Sequence, residues 1–165
     1  MTQAILKSRS SSSRLNLIFF KSYIWLSIFV SLIYHPVSAQ NIVTIDQDIV
    51  TKPITLTGST SGNLKTVEVS QTENTATGYC DGYISSQPNH LLELESFFEF
   101  LRLEVESTAD TTVLIRGDGG MWCNDDSGSA NPMIEGQWQQ GLYKVWVGSH
   151  QPDANDSYQI KIIGR

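Results

Sequence analysis

Apolar and polar residues alternate with a period of two along most of the chain after residue 40. In LRLEVE (101–106), Leu101, Leu103 and Val105 fall on one face and the charged residues fall on the other. Such alternation is typical of antiparallel strands that bury one face and leave the other in water. The same pattern predicts seven strands, at 54–57, 66–70, 91–95, 101–107, 111–117, 143–148 and 158–163.

Turn-forming segments separate these predicted strands. They are rich in Gly, Asn, Asp, Ser and Pro, and they lie at 58–63, 117–120, 124–132 and 151–156. No amphipathic helix of about ten residues is evident. Residues 96–101 fit either a strand or a helix, and residues 41–53 fit a first strand or a lead-in. About seven or eight short strands with frequent turns predict an all-β fold, an antiparallel β-sandwich.

The N-terminus has the features of a secretory signal peptide. Basic residues precede the 12-residue apolar run 23–34, and the small residues of VSA (37–39) follow it, so cleavage is expected after Ala39. The alternative is an uncleaved anchor, but Lys21 shortens the uninterrupted apolar run below the length of a membrane span. We therefore expect a secreted protein, periplasmic or extracellular, with a single domain at 40–165 and no membrane contact after cleavage.

Cleavage at that site changes the charge of the protein. The leader contains four basic residues and no acidic one, which leaves seven basic against 17 acidic residues and a formal net charge of −10. Such a surface repels nucleic acid and anionic lipid. Nucleic acid is therefore excluded as a partner, whereas a polysaccharide or an envelope protein remains open.

Cys80 and Cys123 are the two cysteines, and both lie in the part expected to be exported. In an oxidising compartment the simplest expectation is one disulfide between them. The alternative is a redox-active or metal-binding pair, but the CxxC spacing and the neighbouring histidine of such sites are lacking. Tyr143 follows the glycine turn at Gly141 and lies at the start of a predicted strand. In β-sandwiches, the hydroxyl of such a tyrosine often hydrogen-bonds to the backbone across a corner. A structural role is therefore expected for Tyr143.

Residues 111–149 resemble the second half of the bacterial pre-peptidase C-terminal (PPC) domain. The matching pieces are a strand, a glycine turn, an Asn-Asp-Asp loop, a second strand, and a Gly-x-Tyr strand ending in valines, at 113–117, 119–120, 124–126, 134–138 and 141–147. The segment YCDGYISSQPNH (79–90) is similar to a stand-alone secreted variant found in cyanobacteria. The resemblance implies a jelly-roll-like sandwich without catalytic activity, and some relatives bind calcium and fibrous substrates. The cysteine pair departs from the general pattern.

Catalytic motifs are weak in this chain. His90 and His150 are the histidines outside the leader; neither lies in an HExxH motif, and no GxSxG elbow occurs. Two glutamate pairs at i, i+2, at 93/95 and 104/106, are better explained as the wet faces of strands than as a glycosidase dyad. We therefore expect no enzyme and no catalytic residue, with a hydrolase assembled from distant residues as the alternative.

The loop 124–132 is a candidate for calcium, the one cofactor considered. Its oxygen-bearing side chains are Asn124, Asp125 and Asp126, with Glu135 just beyond. An EF-hand is excluded, because Ser129 stands where that motif needs glycine. The alternative is a tight turn, in which Asn and Asp side chains bond to nearby backbone and Gly128 takes a positive φ.

Three tryptophans, Trp122, Trp138 and Trp146, are candidates for ligand binding, and Tyr79 and Tyr83 join them. Trp146 shares its strand face with Lys144, which alternation predicts to be the wet face, where an aromatic ring can stack on sugar. A loop such as 151–156 could equally cover it. The sequence thus predicts an exported binding or structural module of unknown ligand; the alternative is a carbohydrate- or polymer-binding module with a calcium-stabilised loop.

Overall fold

A computed structural model describes residues 41–165 of the chain; the predicted leader lies outside the described residues. Thirteen strands, one 3₁₀ helix at Gln47–Val50 and one short α-helix make up this part. The elements in chain order are β1 (Ile42–Ile45), β2 (Ile54–Ser59), β3 (Leu64–Lys65), α1 (Thr66–Ser70), β4 (Asn74–Thr75), β5 (Gly78–Tyr79), β6 (Tyr83–Ile84), β7 (His90–Leu94), β8 (Phe98–Ser107), β9 (Thr111–Gly117), β10 (Gly120–Asn124), β11 (Met133–Trp138), β12 (Gly141–Ser149) and β13 (Ser157–Gly164).

Two sheets form the body of the domain. Sheet A has seven strands, β1, β3, β6, β7, β9, β10 and β12, and sheet B has four, in the order β11-β8-β13-β2. β12 pairs with β7, β6 and β9, so it is the central strand of sheet A. All pairs are antiparallel except β1 with β7, which run parallel. The predicted all-β sandwich is therefore confirmed, with one parallel pair at an edge that alternation along each strand could not reveal.

The core lies between the inner faces of the two sheets. Sheet A contributes residues such as Leu92, Ile115 and Val145, and sheet B contributes residues such as Leu103 and Ile160, all fully buried. Tyr143 is buried in the same core, and its hydroxyl donates to the backbone oxygen of Gln139 over 2.9 Å. The structural role predicted for this tyrosine is confirmed.

A second apolar cluster lies on the opposite, outer face of sheet A. Trp146 of β12 pairs with Leu114 of β9, which pairs in turn with Cys123 of β10, so these side chains form a row across three strands. Cys80 and Ile84 pack on this row from above. They belong to residues 66–84, which run from α1 through β6 and which we call the cover.

The disulfide Cys80–Cys123 joins the cover to sheet A. Its sulfur atoms are 2.04 Å apart, and both cysteines are buried. The predicted pairing is confirmed, and the described residues contain no free cysteine.

The strand predicted at 66–70 is wrong, because this segment forms α1. Thr66 and Ser70 are four residues apart and share one helical face, and both are buried. The Thr66 hydroxyl donates to Gly82 O over 3.2 Å, and the helix ends at Gln71 in a left-handed conformation. Contacts within the cover thus outweigh the strand preference of TVEVS.

The two ambiguous segments are also resolved. Residues 41–53 contain both β1 and the 3₁₀ helix, whose Ile49 is buried, and Phe98 to Leu101 belong to β8. No helix within residues 41–165 is long and apolar enough to cross a membrane.

Candidate functional site

Three ligand-type side chains meet at one end of sheet A. Asp110 immediately precedes β9, Asp125 immediately follows β10, and His150 immediately follows β12. β9 runs antiparallel to both of the other strands, so its start lies beside their ends. The strand order therefore brings these residues together from distant positions in the chain, and we call them the strand-end cluster.

Short distances join the side chains of this cluster. Nε2 of His150 lies 2.7 Å from Oδ1 of Asp125 and 3.6 Å from Oδ1 of Asp110. One ligand atom from each of the three residues lies within 4.8 Å of the other two. Asp125 and His150 are partly buried, whereas Asp110 is exposed.

The cluster shifts the pKa values of His150 and Asp125, the two residues that make its shortest contact. Burial lowers the pKa of His150, but the hydrogen bond and charge of Asp125, with the charges of Asp110 and Asp81, outweigh it and raise the pKa. Burial also raises the pKa of Asp125, and the neighbouring His150 opposes this rise without cancelling it. Asp81, in the cover, thus acts electrostatically on both.

The residue next to Asp125 holds the loop in place. The side chain of Asn124 donates to Thr77 O over 2.6 Å, and its oxygen accepts from the Ser127 hydroxyl and from Met133 N. Gly128 has a φ of 77°. The positive φ predicted for Gly128 is confirmed, but the Asn124 side chain bonds to Thr77, Ser127 and Met133 rather than to the backbone two residues on.

The four residues of the predicted calcium site do not form one group in the structure. Asn124 is committed to the turn, and Glu135 lies on β11, where Arg102 contacts it at 2.7 Å. Asp126 is exposed, and Asp125 faces His150 instead. Calcium binding itself stays a prediction, but Asn124 and Glu135 already have other partners. Sequence reasoning missed Asp110 and His150, because only the strand order brings them to Asp125.

The three candidate tryptophans lie in two apolar clusters. Trp138 is buried and donates to Leu101 O over 3.0 Å, and the half-buried Trp122 stacks on it with ring centroids 6.0 Å apart. The prediction of a wet face for Trp146 is wrong, because the cover lies on that face and leaves the residue 5% exposed. The cover, rather than the loop at 151–156, buries it.

The exposed aromatic residue of this region is Tyr79, which is 69% exposed. It ends the two-stranded ribbon formed by β4 and β5. A groove of about 300 Å³ lies between the ribbon and the acidic turn, and it is lined by Thr77, Gly78, Tyr79, Asn124, Asp125 and Asp126. A second groove of about 270 Å³ is lined by Val67, Glu73, Tyr79, Cys80 and Asp81. We call the ring and its two grooves the Tyr79 surface.

The histidines of the described residues do not make the hydrogen bonds of a serine-type triad. Nε2 of His90 lies 3.0 Å from the Tyr158 hydroxyl, and Nε2 of His150 lies beside two aspartates. Among residues 41–165, neither ring has a hydrogen bond to a serine or threonine hydroxyl. Both histidine rings are thus hydrogen-bonded to groups other than a serine or threonine nucleophile in this part of the chain.

Substituting His90 is expected to change how stability depends on pH. Burial lowers the pKa of folded His90, whereas the unfolded chain takes up a proton near 6.5. The effect of His90 on stability is thus constant above pH 6.5, becomes unfavourable as the pH falls below 6.5, and levels off below the lowered pKa of the folded protein. His90→Gln, which can still bond to Tyr158, should lose less melting temperature than wild type between pH 7.5 and pH 5. An equal loss of melting temperature in His90→Gln and wild type between pH 7.5 and pH 5 would contradict this prediction.

Comparisons with known proteins come from three directions. No family model matches the chain. An uncharacterized protein of Synechococcus elongatus is 31% identical over 88 residues, which are 51% of this chain and 65% of the relative. The chain thus covers slightly less than two-thirds of that relative's length.

Two solved structures are similar to the chain at 10% sequence identity. The pre-peptidase C-terminal domain of collagenase from Bacillus anthracis has a TM-score of 0.43, with 74% of this chain and 95% of that one covered. Aeromonas hydrophila PliG, a periplasmic inhibitor of g-type lysozyme, has a TM-score of 0.39, with 77% and 100% covered. The first is the type of domain that the sequence resembles.

Proposed function

We propose that this chain is an exported, non-catalytic module that binds a polysaccharide through the Tyr79 surface. The observation that carries the proposal is the 69% exposure of Tyr79 between two grooves lined by hydrogen-bonding groups. A large aromatic ring held in water gains free energy when an apolar face, such as the face of a sugar ring, covers it.

The ring is presented by a well-held ribbon. The hydroxyls of Thr75 and Thr77 donate to Cys123 O over 3.3 and 2.7 Å, and Cys123 N donates to the Thr75 hydroxyl over 3.0 Å. Cys80, the residue after Tyr79, is tied to Cys123 by the disulfide. A ligand therefore meets a pre-ordered surface and loses little affinity to ordering of the protein.

The groups beside the ring suit sugar hydroxyls. Glu73 and Asp81 line one groove, and Asp125 and Asp126 line the other. Carboxylates accept hydrogen bonds from hydroxyls, and their charge disfavours anionic polymers. We therefore infer an uncharged or amino-sugar polysaccharide, rather than an acidic one.

Export is part of the same proposal. The disulfide is of the kind that persists in oxidising compartments, which supports a periplasmic or extracellular location. The apolar leader and the small residues before Ala39 predict the same location.

Tyr79→Ala is expected to weaken polysaccharide binding about tenfold, or about 1.4 kcal/mol, because the stacking surface is removed. Binding would be measured by affinity electrophoresis in gels containing a soluble neutral glucan or a soluble chitin derivative. Leu142→Ala is the matched control, since Leu142 is 41% exposed on β12 and lies outside the residues that line the two grooves.

Two results would contradict this function. One is wild-type protein that migrates unretarded in every polysaccharide gel. The other is retardation that Tyr79→Ala leaves equal to that of Leu142→Ala.

A further inference from the structure

We infer that the strand-end cluster, Asp110, Asp125 and His150, binds a divalent transition-metal ion, with zinc as the best fit. This site shares Asp125 with one groove of the Tyr79 surface but does not include the Tyr79 ring, and it does not depend on the proposed function. It also differs from the predicted calcium site in two of its three residues and in the class of metal.

The distances suit a shared ion. Zinc takes histidine nitrogen and carboxylate oxygen at about 2.1 Å, which places two ligand atoms of a tetrahedral site about 3.4 Å apart. Nε2 of His150 is 3.6 Å from the Asp110 oxygen and 2.7 Å from the Asp125 oxygen. Small side-chain rotations would place all three at bonding distance, and a fourth position stays open for water.

The types of ligand atom select the metal. Calcium is bound by six to eight oxygen atoms, whereas an imidazole nitrogen suits zinc, copper, iron and nickel. His150 and the two aspartates offer a metal ion one nitrogen ligand and two oxygen ligands. The His150 nitrogen therefore favours a transition ion over calcium at this position.

The charge of the region also favours a cation. Asp81 acts electrostatically on both Asp125 and His150, so three carboxylates surround one imidazole, with Asp126 nearby. Among residues 41–165, the lysine and arginine ion pairs lie elsewhere, at Lys161–Glu106 and Arg102–Glu135. Even a protonated His150 leaves the region negative, and a divalent ion would neutralise that excess.

The backbone around the cluster is held by hydrogen bonds. Both the His150 amide and the Ser149 hydroxyl donate to Asp110 O, each over 3.4 Å. The turn that carries Asp125 is fixed by Asn124. The backbone next to all three ligands is thus held by hydrogen bonds, which lowers the ordering cost of binding.

The test is titration of the purified, oxidised protein, freed of metal with EDTA, with zinc chloride followed by calorimetry and melting. We expect one zinc per chain and a melting temperature that rises by about 3 °C or more at 100 µM zinc. Calcium at the same concentration should give no shift. Cobalt should give the visible absorption of a protein-bound ion, which reports on nitrogen and oxygen ligands directly.

Variants separate this site from incidental binding. His150→Gln and Asp125→Asn should each weaken zinc binding about 100-fold, with far-UV circular dichroism confirming that they fold. His90→Gln and Asp118→Asn are the matched controls, and they should bind as the wild type does. The inference is overturned if wild type binds no zinc at 100 µM, if His150→Gln binds zinc as wild type does, or if calcium shifts melting and zinc does not. Because Tyr79 is absent from the cluster, Tyr79→Ala should keep its zinc, whatever its effect on polysaccharide.

Discussion

Replacement of Cys80 and Cys123 together by serine is expected to lower the free energy of unfolding by about 4 kcal/mol. The disulfide closes a loop whose ends are 43 residues apart, and on the chain-entropy model that closure removes about this much freedom from the unfolded chain. Since domains of this size are stable by roughly 5–15 kcal/mol, the loss is a large share of the total. Urea unfolding of the double variant and of the oxidised wild type measures it.

Reduction of the wild-type protein provides a control for the serine variants. If the loss of stability comes from the missing disulfide and not from the serine side chains, reduced wild type and the double variant should unfold at similar urea concentrations. A double variant as stable as the oxidised protein, or free thiols in the purified protein, would refute the role assigned to the disulfide.

Trp146→Ala is expected to destabilise the domain by about 3–5 kcal/mol, because a large buried side chain leaves a cavity between sheet A and the cover. Trp146→Phe should cost much less. The indole N–H of Trp146 is buried without a hydrogen-bond partner, and phenylalanine removes that unpaired donor while it keeps much of the ring. Chemical unfolding of the two variants beside wild type measures both effects.

Leu142→Ala on the same strand is the comparison for Trp146, since Leu142 is 41% exposed and its loss should change stability by about 0.5 kcal/mol or less. If Trp146→Ala were as mild as Leu142→Ala, the outer cluster would contribute little to stability. If Trp146→Phe were as damaging as Trp146→Ala, the unpaired N–H would not be a cost in the native protein.

The strands of the two sheets could be predicted because their signal is local. In β8 and β13 the inner residues alternate with polar ones, and the alternation is visible without any knowledge of partners. The failures at 66–70 and at Trp146 have one cause. The cover, which the disulfide ties to sheet A, lies on the face of β12 that alternation predicts to be exposed to water. The sequence of β12 itself contains no sign that another segment packs on this face.

The candidate site was only partly predictable for a similar reason. The composition of residues 124–132 singled out Asp125, and the tight turn was expected from its Asn, Asp and Gly residues. Asp110 and His150 lie 15 and 25 residues away in the chain, so only the order of β10, β9 and β12 places them beside it. The parallel pairing of β1 with β7 is likewise a property of topology.

The position of the central strands has a consequence for when the domain can fold. β12 is the middle of sheet A, and β13 lies between β8 and β2 in sheet B, yet both come late in the chain. β2 therefore cannot pair until β13, about a hundred residues further along the chain, has been made. At synthesis rates of about 5–20 residues per second, the sandwich stays incomplete for seconds after β2 is made. During those seconds the apolar inner faces of the early strands stay exposed, so the late synthesis of β12 and β13 sets the period in which the nascent chain is most prone to aggregate.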